Sequence, residues 1–173
     1  SKQVDDIGKL IDEFSSFARM PEAEIKLDNL SQTLKESYDL FSNAHSKINM
    51  KLDLQKKDIY IHFDRFQITQ AFNNIIKNAV EAVINIPNPS ISISLLEENN
   101  YIKFIVIDNG VGIDEKKISK LFEPYFTTKE KGTGLGLSIV KKIIEDHGGN
   151  IKIEKNKNMT GTKTIITFEI NES

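Results

Sequence analysis

A two-layer α+β fold, a mixed β-sheet covered on one face by helices, is predicted by three features of the sequence. Segments alternating apolar and polar residues occur in neighbouring pairs: Ile48–Leu54 with Ile59–Phe63, Ser90–Leu96 with Tyr101–Asp108, and 150–155 with 162–170. Between the pairs lie segments whose apolar residues fall three and four apart, the spacing of amphipathic helices. The two kinds do not follow strict strand–helix–strand alternation, so an all-parallel sheet is disfavoured and a mixed sheet under a helical layer is the natural packing.

Taken from the amino terminus, Val4, Ile7, Ile11, Phe14 and Ala18 form a narrow seam that ends at Pro21. The helix starts mid-pattern without a cap, as the end of a helix entering from earlier chain would. A seam this narrow suits a second helix, although it equally suits an amphipathic helix lying on its own domain. Residues 1–21 are therefore set apart from a domain over 22–173. Leu30, Leu34, Tyr38 and Phe41 predict that domain's first helix over Asp28–Ala44, with Asp28 as its cap. The strands at Ile48–Leu54 and Ile59–Phe63 are joined by "QKKD", read as the turn between them; His62 reads as an ordinary strand residue. A long helix over Arg65–Ile84 is stopped by "NIPNP". After the next two strands, Val111 to Thr133 has little regular pattern apart from a helical turn in "EKKISKLF". A glycine-opened helix, "LSIVKKIIEDH", and a hairpin-like pair of strands complete the chain.

The totals exclude several classes of function. With 173 residues there is room for one compact domain and an appendage, and 23 Lys+Arg against 25 Asp+Glu give a net charge of −2, no footprint for nucleic acid or an anionic membrane. Cysteine is absent, which rules out disulfides, thiol catalysis and Cys-ligated zinc and suits a reducing, cytoplasmic location. His45, His62 and His147 are too scattered to suggest a local metal motif. No apolar run approaches bilayer length and no signal-peptide pattern opens the chain.

Three constellations could carry chemistry. Gln70, Asn74, Asn78 and Glu81 share one stripe of a helix that is apolar over most of its circumference and should be largely buried. Each polar group left unpaired in such a place costs about 1–3 kcal/mol, so the stripe either meets solvent or a backbone edge, or holds a hard cation such as Mg²⁺. In "FIVIDNGVGI" a strand apolar on both faces delivers Asp108 to its end, followed by Gly110 and Gly112. An ionised carboxylate there suits an exocyclic amine such as that of adenine, and the glycines let backbone approach a flat ring; "DNG" is also a plain tight turn. Gly132, Gly134 and Gly136 at a helix entrance make either an anion seat or a hinge. They fit neither the P-loop nor the dinucleotide pattern. The irregular stretch ahead of them is either a lid or a solvated loop footed by Phe122, Tyr125 and Phe126.

The order of these pieces is more informative than any one of them. "NNIIKNAVEA", "DNGVGI", "LFEPYFTTK", "GTGLGLSIV" and a late "GT" at 161–162 together resemble the N, G1, F, G2 and G3 boxes of the Bergerat or GHKL ATP-binding fold, in the form found in sensor histidine kinases of two-component systems. The resemblance covers about Asp28 to Ile170. The opening "VDDIGKLIDEFSSFARMP" is similar to the end of the dimerisation region in nitrogen-regulation kinases of the NtrY and NtrB kind.

The resemblance implies a catalytic domain that transfers the γ-phosphoryl group of ATP to a histidine, for relay to an aspartate on a response-regulator receiver domain. Asn78 is implied as the Mg²⁺ ligand, with Asn74 one turn earlier and Glu81 orienting a metal-bound water; these three are the catalytic candidates. Asp108 is implied to bind the adenine amine, with Gly110, Gly112 and Ile113 shaping its pocket and Thr162 lining the far wall. Lys129 and Gly132, Thr133, Gly134, Leu135, Gly136 and Leu137 are implied to hold the phosphates. The acceptor histidine is expected on a helix outside this sequence, so the fragment should not phosphorylate itself, and the full-length protein is expected to be a membrane-anchored homodimer. Two rivals share the fold, a clamp-type ATPase and a nucleotide-dependent binding module. The ATPases place a water-activating glutamate where Asn74 stands, and an amide is no base.

Overall fold

A computed structural model, which describes residues 2–128 and 134–170, runs α1 (Lys2–Ala18), β1 (Lys26–Asn29), α2 (Leu30–Ala44), β2 (Asn49–Leu54), β3 (Tyr60–Phe63), α3 (Arg65–Val83), β4 (Ser90–Glu98), β5 (Tyr101–Asp108), α4 (Glu115–Ile118), α5 (Gly136–Asp146), β6 (Asn150–Lys155) and β7 (Thr162–Glu169). The main sheet has the order β2-β4-β5-β7-β6, parallel only at β2/β4 and antiparallel elsewhere, so it is mixed. Asn99 and Asn100 link β4 to β5, both at positive φ (51° and 66°), which short polar side chains tolerate and a tight hairpin turn requires.

Period-two alternation sorts each strand onto two faces, and one of them is the core. Ile91, Ile93 and Leu95 of β4, Ile102, Phe104 and Val106 of β5, and Ile166 and Phe168 of β7 are buried beneath α2, α3 and α5. Each such side chain contributes about 1.5–3 kcal/mol by leaving water. Phe72 of α3 meets Phe104 with ring centroids 4.6 Å apart, seating the long helix on the middle of the sheet. On the opposite face Ile105, Ile107 and Ile165 are only half-buried, so β5 is apolar on both faces but covered on one.

Two local expectations change. The strands β2 and β3 do not pair with each other: β2 joins the main sheet, whereas β3 pairs antiparallel with β1 in a separate two-stranded sheet. The residues 55–58 between them are a crossing between sheets and not a hairpin turn. The cap of α2 is Asn29, whose side chain accepts from the Gln32 N–H at 3.2 Å, because Asp28 is occupied in β1 and by Arg65 at 2.9 Å.

The seam on α1 stays in the open, with Val4 66%, Ile7 57% and Ile11 57% exposed. Leu10 reaches the edge of the core, and Phe14 stacks on Tyr125 at 6.4 Å with the rings 23° apart. The chain after α1 is tied to the start of α3. Gln67 Nε2 donates to the Pro21 carbonyl at 3.0 Å and the Glu24 N–H donates to Asp64 Oδ2 at 2.8 Å.

Candidate functional site

The stripe on α3 is less deeply buried than its surroundings. Nine residues of the helix are buried, but Gln70, Asn74 and Asn78 are half-buried and Glu81 is exposed, so the stripe reaches the surface. Of the alternatives left open for the stripe, contact with solvent is the one observed. A half-buried face lets carboxamide oxygens stay hydrated, which is the state in which Mg²⁺ is ordinarily bound. Asn74 Nδ2 donates to the Gln70 carbonyl at 3.0 Å, which turns its Oδ1 toward the next helix. There it stands 3.4 Å from the place a Cβ on Gly136 would occupy.

At the end of β5 the chain closes around Asp108, which is only 6% exposed. Its Oδ1 accepts the Gly110 N–H at 2.9 Å and the Thr162 N–H at 3.3 Å, and its carbonyl accepts from Asn156 Nδ2 at 3.1 Å. The bond to Gly110 is the tight turn read from "DNG", so turn and carboxylate site are one structure. A Cβ on Gly161 would lie 1.9 Å from the Asp108 carbonyl oxygen, and at φ +125° no L side chain sits comfortably. A Cβ on Gly110 would come within 2.5 Å of the Ala82 carbonyl, so the turn after β5 is pressed onto the last turn of α3. Gly112 faces Gly161, while Ile113 and Thr162 remain half-buried beside them. Two open hollows adjoin this end, one of about 470 Å³ touching Gly112, Ile113 and Gly161, the other of about 490 Å³ touching Asn109 and Gly110. Neither is lined by Asn74 or Asn78, so the convergence of the site rests on the contacts just given.

The third piece is the entrance of α5. No side chain caps this helix, and Leu135 at the cap position is fully buried, which fixes the entrance against the core. Gly134, at φ +76°, is pressed on the aromatic foot: a Cβ there would fall 2.3 Å from the Tyr125 carbonyl carbon, and the Tyr125 N–H donates to the Gly134 carbonyl at 2.9 Å. Tyr125 itself has φ +69°, a strained value for an aromatic residue. Ser138 Oγ donates to the Phe122 carbonyl at 3.1 Å, a second tie between the foot and α5. Gly136 and Leu137 begin the helix beside Asn74; Lys129, Gly132 and Thr133 lie outside the described residues.

The three elements thus meet in a chain of contacts: Asn74 with Gly136, Ala82 with Gly110, and Asp108 with Gly161 and Thr162. Residues 63–173 match the model of the histidine kinase-, DNA gyrase B- and HSP90-like ATPases. The chain belongs to this family. Among these ATPases it is 39% identical over 157 residues to the nitrogen regulation protein NtrY of Azorhizobium caulinodans, covering 88% of this chain and 20% of that protein. It is 34% identical over 170 residues to sporulation kinase E of Bacillus subtilis, covering 96% and 23% respectively. The catalytic domain of histidine kinase ThkA superposes with a TM-score of 0.76 at 35% identity, covering 85% of this chain and 96% of that one. The same kinase in complex with response regulator protein TrrA gives 0.82 at 28% identity, covering 98% and 49%. The chain spans about a fifth of the length of the curated relatives it matches. It is a catalytic ATP-binding domain of the sensor histidine kinase type, with the two-layer α+β fold of these ATPases. Among the described residues no helix is long and apolar enough to cross a membrane.

Two contributors were not legible as site residues. Asn156 has no motif around it and matters only because β6 ends next to β5's terminus across β7. Asn109 anchors the turn by donating from Nδ2 to the Asn88 carbonyl at 2.9 Å and accepting the Ser90 N–H at 2.8 Å; its place inside "DNG" was the available signal.

Proposed function

We propose that this domain binds Mg²⁺-ATP in the cleft between α3, the end of β5 and the entrance of α5, and transfers the γ-phosphoryl group to a histidine on a separate helix, for relay to a receiver-domain aspartate. The observation that carries the reading is Asp108, a nearly buried acceptor whose orientation is fixed by the Gly110 and Thr162 N–H groups beside glycines crowded against backbone. Asp108 takes the adenine amino group, with Gly110, Gly112, Ile113 and Thr162 around the ring. Asn78 ligates Mg²⁺, with Asn74 adjacent and Glu81 orienting a metal-bound water. The half-buried cleft wall supplies hard oxygen donors that fit this ion. When bound, Mg²⁺ neutralises charge on the transferring phosphoryl group. The helix entrance from Gly134 to Leu137, with Lys129, Gly132 and Thr133, holds the phosphates, favoured by the partial positive charge of a helix amino terminus. These residues act by positioning and charge neutralisation.

Residues 1–21 belong to the dimerisation region of the longer protein and 22–173 to the catalytic domain, a division supported by the exposed seam of α1. The longer protein is a homodimer anchored in a membrane, with this part on the cytoplasmic side. The test is calorimetric titration of Mg²⁺-ATP into the chain and into Asp108→Asn and Asn78→Ala. Losing an acceptor for the adenine amine lowers affinity about 10–100-fold in the first, and loss of the Mg²⁺ ligand weakens Mg²⁺-ATP but not adenosine in the second. An unchanged affinity in both variants sinks the reading. Radiolabel from ATP should appear on an added acceptor-helix domain and not on the fragment; slow phosphate release without transfer would favour the ATPase instead.

A further inference from the structure

His147, which follows α5, does something that its place in the sequence does not announce. Its Nε2 accepts the Asp64 backbone N–H at 3.1 Å, and its Nδ1 lies 2.7 Å from the Ile143 carbonyl oxygen. An N–H donates only to an unprotonated ring nitrogen, so in this arrangement the proton sits on Nδ1 and is donated to Ile143. The ring therefore joins the carboxyl end of α5 to the amino end of α3, across 83 residues of sequence. Asp64 is the cap of α3, with Oδ1 accepting the Gln67 N–H at 3.0 Å, and its Oδ2 holds Glu24 of the chain that follows α1.

The other end of α5 is where Gly136 stands against Asn74, half-way along α3. From Asp64 to Asn74 is ten residues, about 15 Å of helix, and from Gly136 to His147 is eleven, about 16 Å. The helices are antiparallel, and the two contacts lie one α5 length apart. Between them Ile139, Val140, Ile143 and Ile144 of α5 are buried in the core. Such packing resists separation but is non-directional, and it opposes a slide of α5 along its own axis less than a directional bond does. A rigid helix that slides by one ångström moves its entrance N–H groups by the same amount.

We propose that His147 is a positioning residue for the phosphate end of the cleft. By bolting α5 to the cap of α3, it sets how far the α5 entrance stands from Asn74 and Asn78. This rests on the reading that phosphates bind at that entrance. The test compares the chain with His147→Gln, whose side-chain oxygen replaces the Nε2 acceptor, and His147→Asn, which is too short to reach Asp64. Calorimetry with Mg²⁺-ATP and with adenosine is read beside the urea midpoint of each variant. The Asn variant should lose about ten-fold in Mg²⁺-ATP affinity and under about two-fold for adenosine, while the Gln variant stays within about three-fold of the unsubstituted chain for both. A folded Asn variant that keeps Mg²⁺-ATP affinity overturns the proposal. So does equal loss of both ligands, or a folded Gln variant as weak as Asn. Should the unsubstituted chain bind neither ligand, the functional reading fails and the bolt is judged by amide hydrogen exchange. The Asn variant must then speed exchange at Asp64 and shift the Gly136 resonance, and the bolt is refuted if neither changes.

Discussion

The two ends of the proposed nucleotide site are built on different principles. At the Asp108 end the walls are the ends of adjacent strands, β5 and β7, locked by two N–H bonds to one carboxylate oxygen and by a glycine on which a Cβ would fall 1.9 Å from the facing carbonyl oxygen. At the α5 entrance no strand takes part. There the geometry is set by Leu135 in the core, by Gly134 against a strained Tyr125, and by Ser138 bonding to Phe122. The contrast teaches that the proposed base seat is part of the sheet and stands or falls with it, whereas the proposed phosphate seat is part of a helix and a loop and can be disturbed on its own.

The comparison breaks most severely at Gly161. In Gly161→Ala the new Cβ meets the Asp108 carbonyl at 1.9 Å with φ at +125°, and the backbone on both sides must shift. We expect a loss of about 3 kcal/mol or more in urea unfolding, with adenosine and ATP affinities falling together. Gly134→Ala sharpens the contrast. Its clash is with the Tyr125 backbone at 2.3 Å, in a loop that can partly yield, so about 1–2 kcal/mol is expected, with Mg²⁺-ATP affinity reduced and adenosine affinity kept. Equal effects on the two ligands would show that the ends are not separable.

The smallest effect is expected at Asp64, at the far end of α3 from the base seat. Burial pushes its carboxyl up, but the N–H groups of Gln67, Glu24 and Phe66 hold it below the ordinary 3.8. Because the folded-state value is depressed, its stabilisation is present above the unfolded value and is lost as pH falls through the folded one. As pH falls from the ordinary carboxylate range through the lower folded-state value, the chain should therefore lose more stability than Asp64→Asn, which keeps the cap but cannot titrate. Parallel urea-midpoint curves for the two proteins would remove Asp64 from that role.

Much of this was legible because it is local. The helix predicted over Arg65–Ile84 is α3 to within one residue, since its apolar periodicity is long and "NIPNP" stops it. The strands at Ser90 and Tyr101 hold for the same reason. What local pattern lacks is the partner. Alternation at Ile48–Leu54 and Ile59–Phe63 marks two strands, yet nothing in either segment says that they belong to different sheets. The short β1 went unseen because four residues ahead of a helix carry too little periodicity, and its presence moved the cap from Asp28 to Asn29. Within the proposed site, Asn74, Asp108, Gly136 and Thr162 all lie in the ordered motifs. Asn156 and His147 were invisible, because each acts on backbone many tens of residues away.

The hydrogen bond from Thr162 to Asp108 closes a loop of 54 residues, and that from Asp64 to His147 one of 83. Loops of that span form only after the chain entropy of the intervening segments has been overcome, so these contacts belong to the late steps of folding. A nascent chain that has left the ribosome only as far as Gly112 already carries every residue of the polar helix and of the carboxylate turn, yet it lacks Thr162 and so has no complete version of the proposed base seat. On the proposed function, competence to hold a nucleotide arrives with β7, and a growing chain is thereby kept from occupying that ligand before β7 is in place.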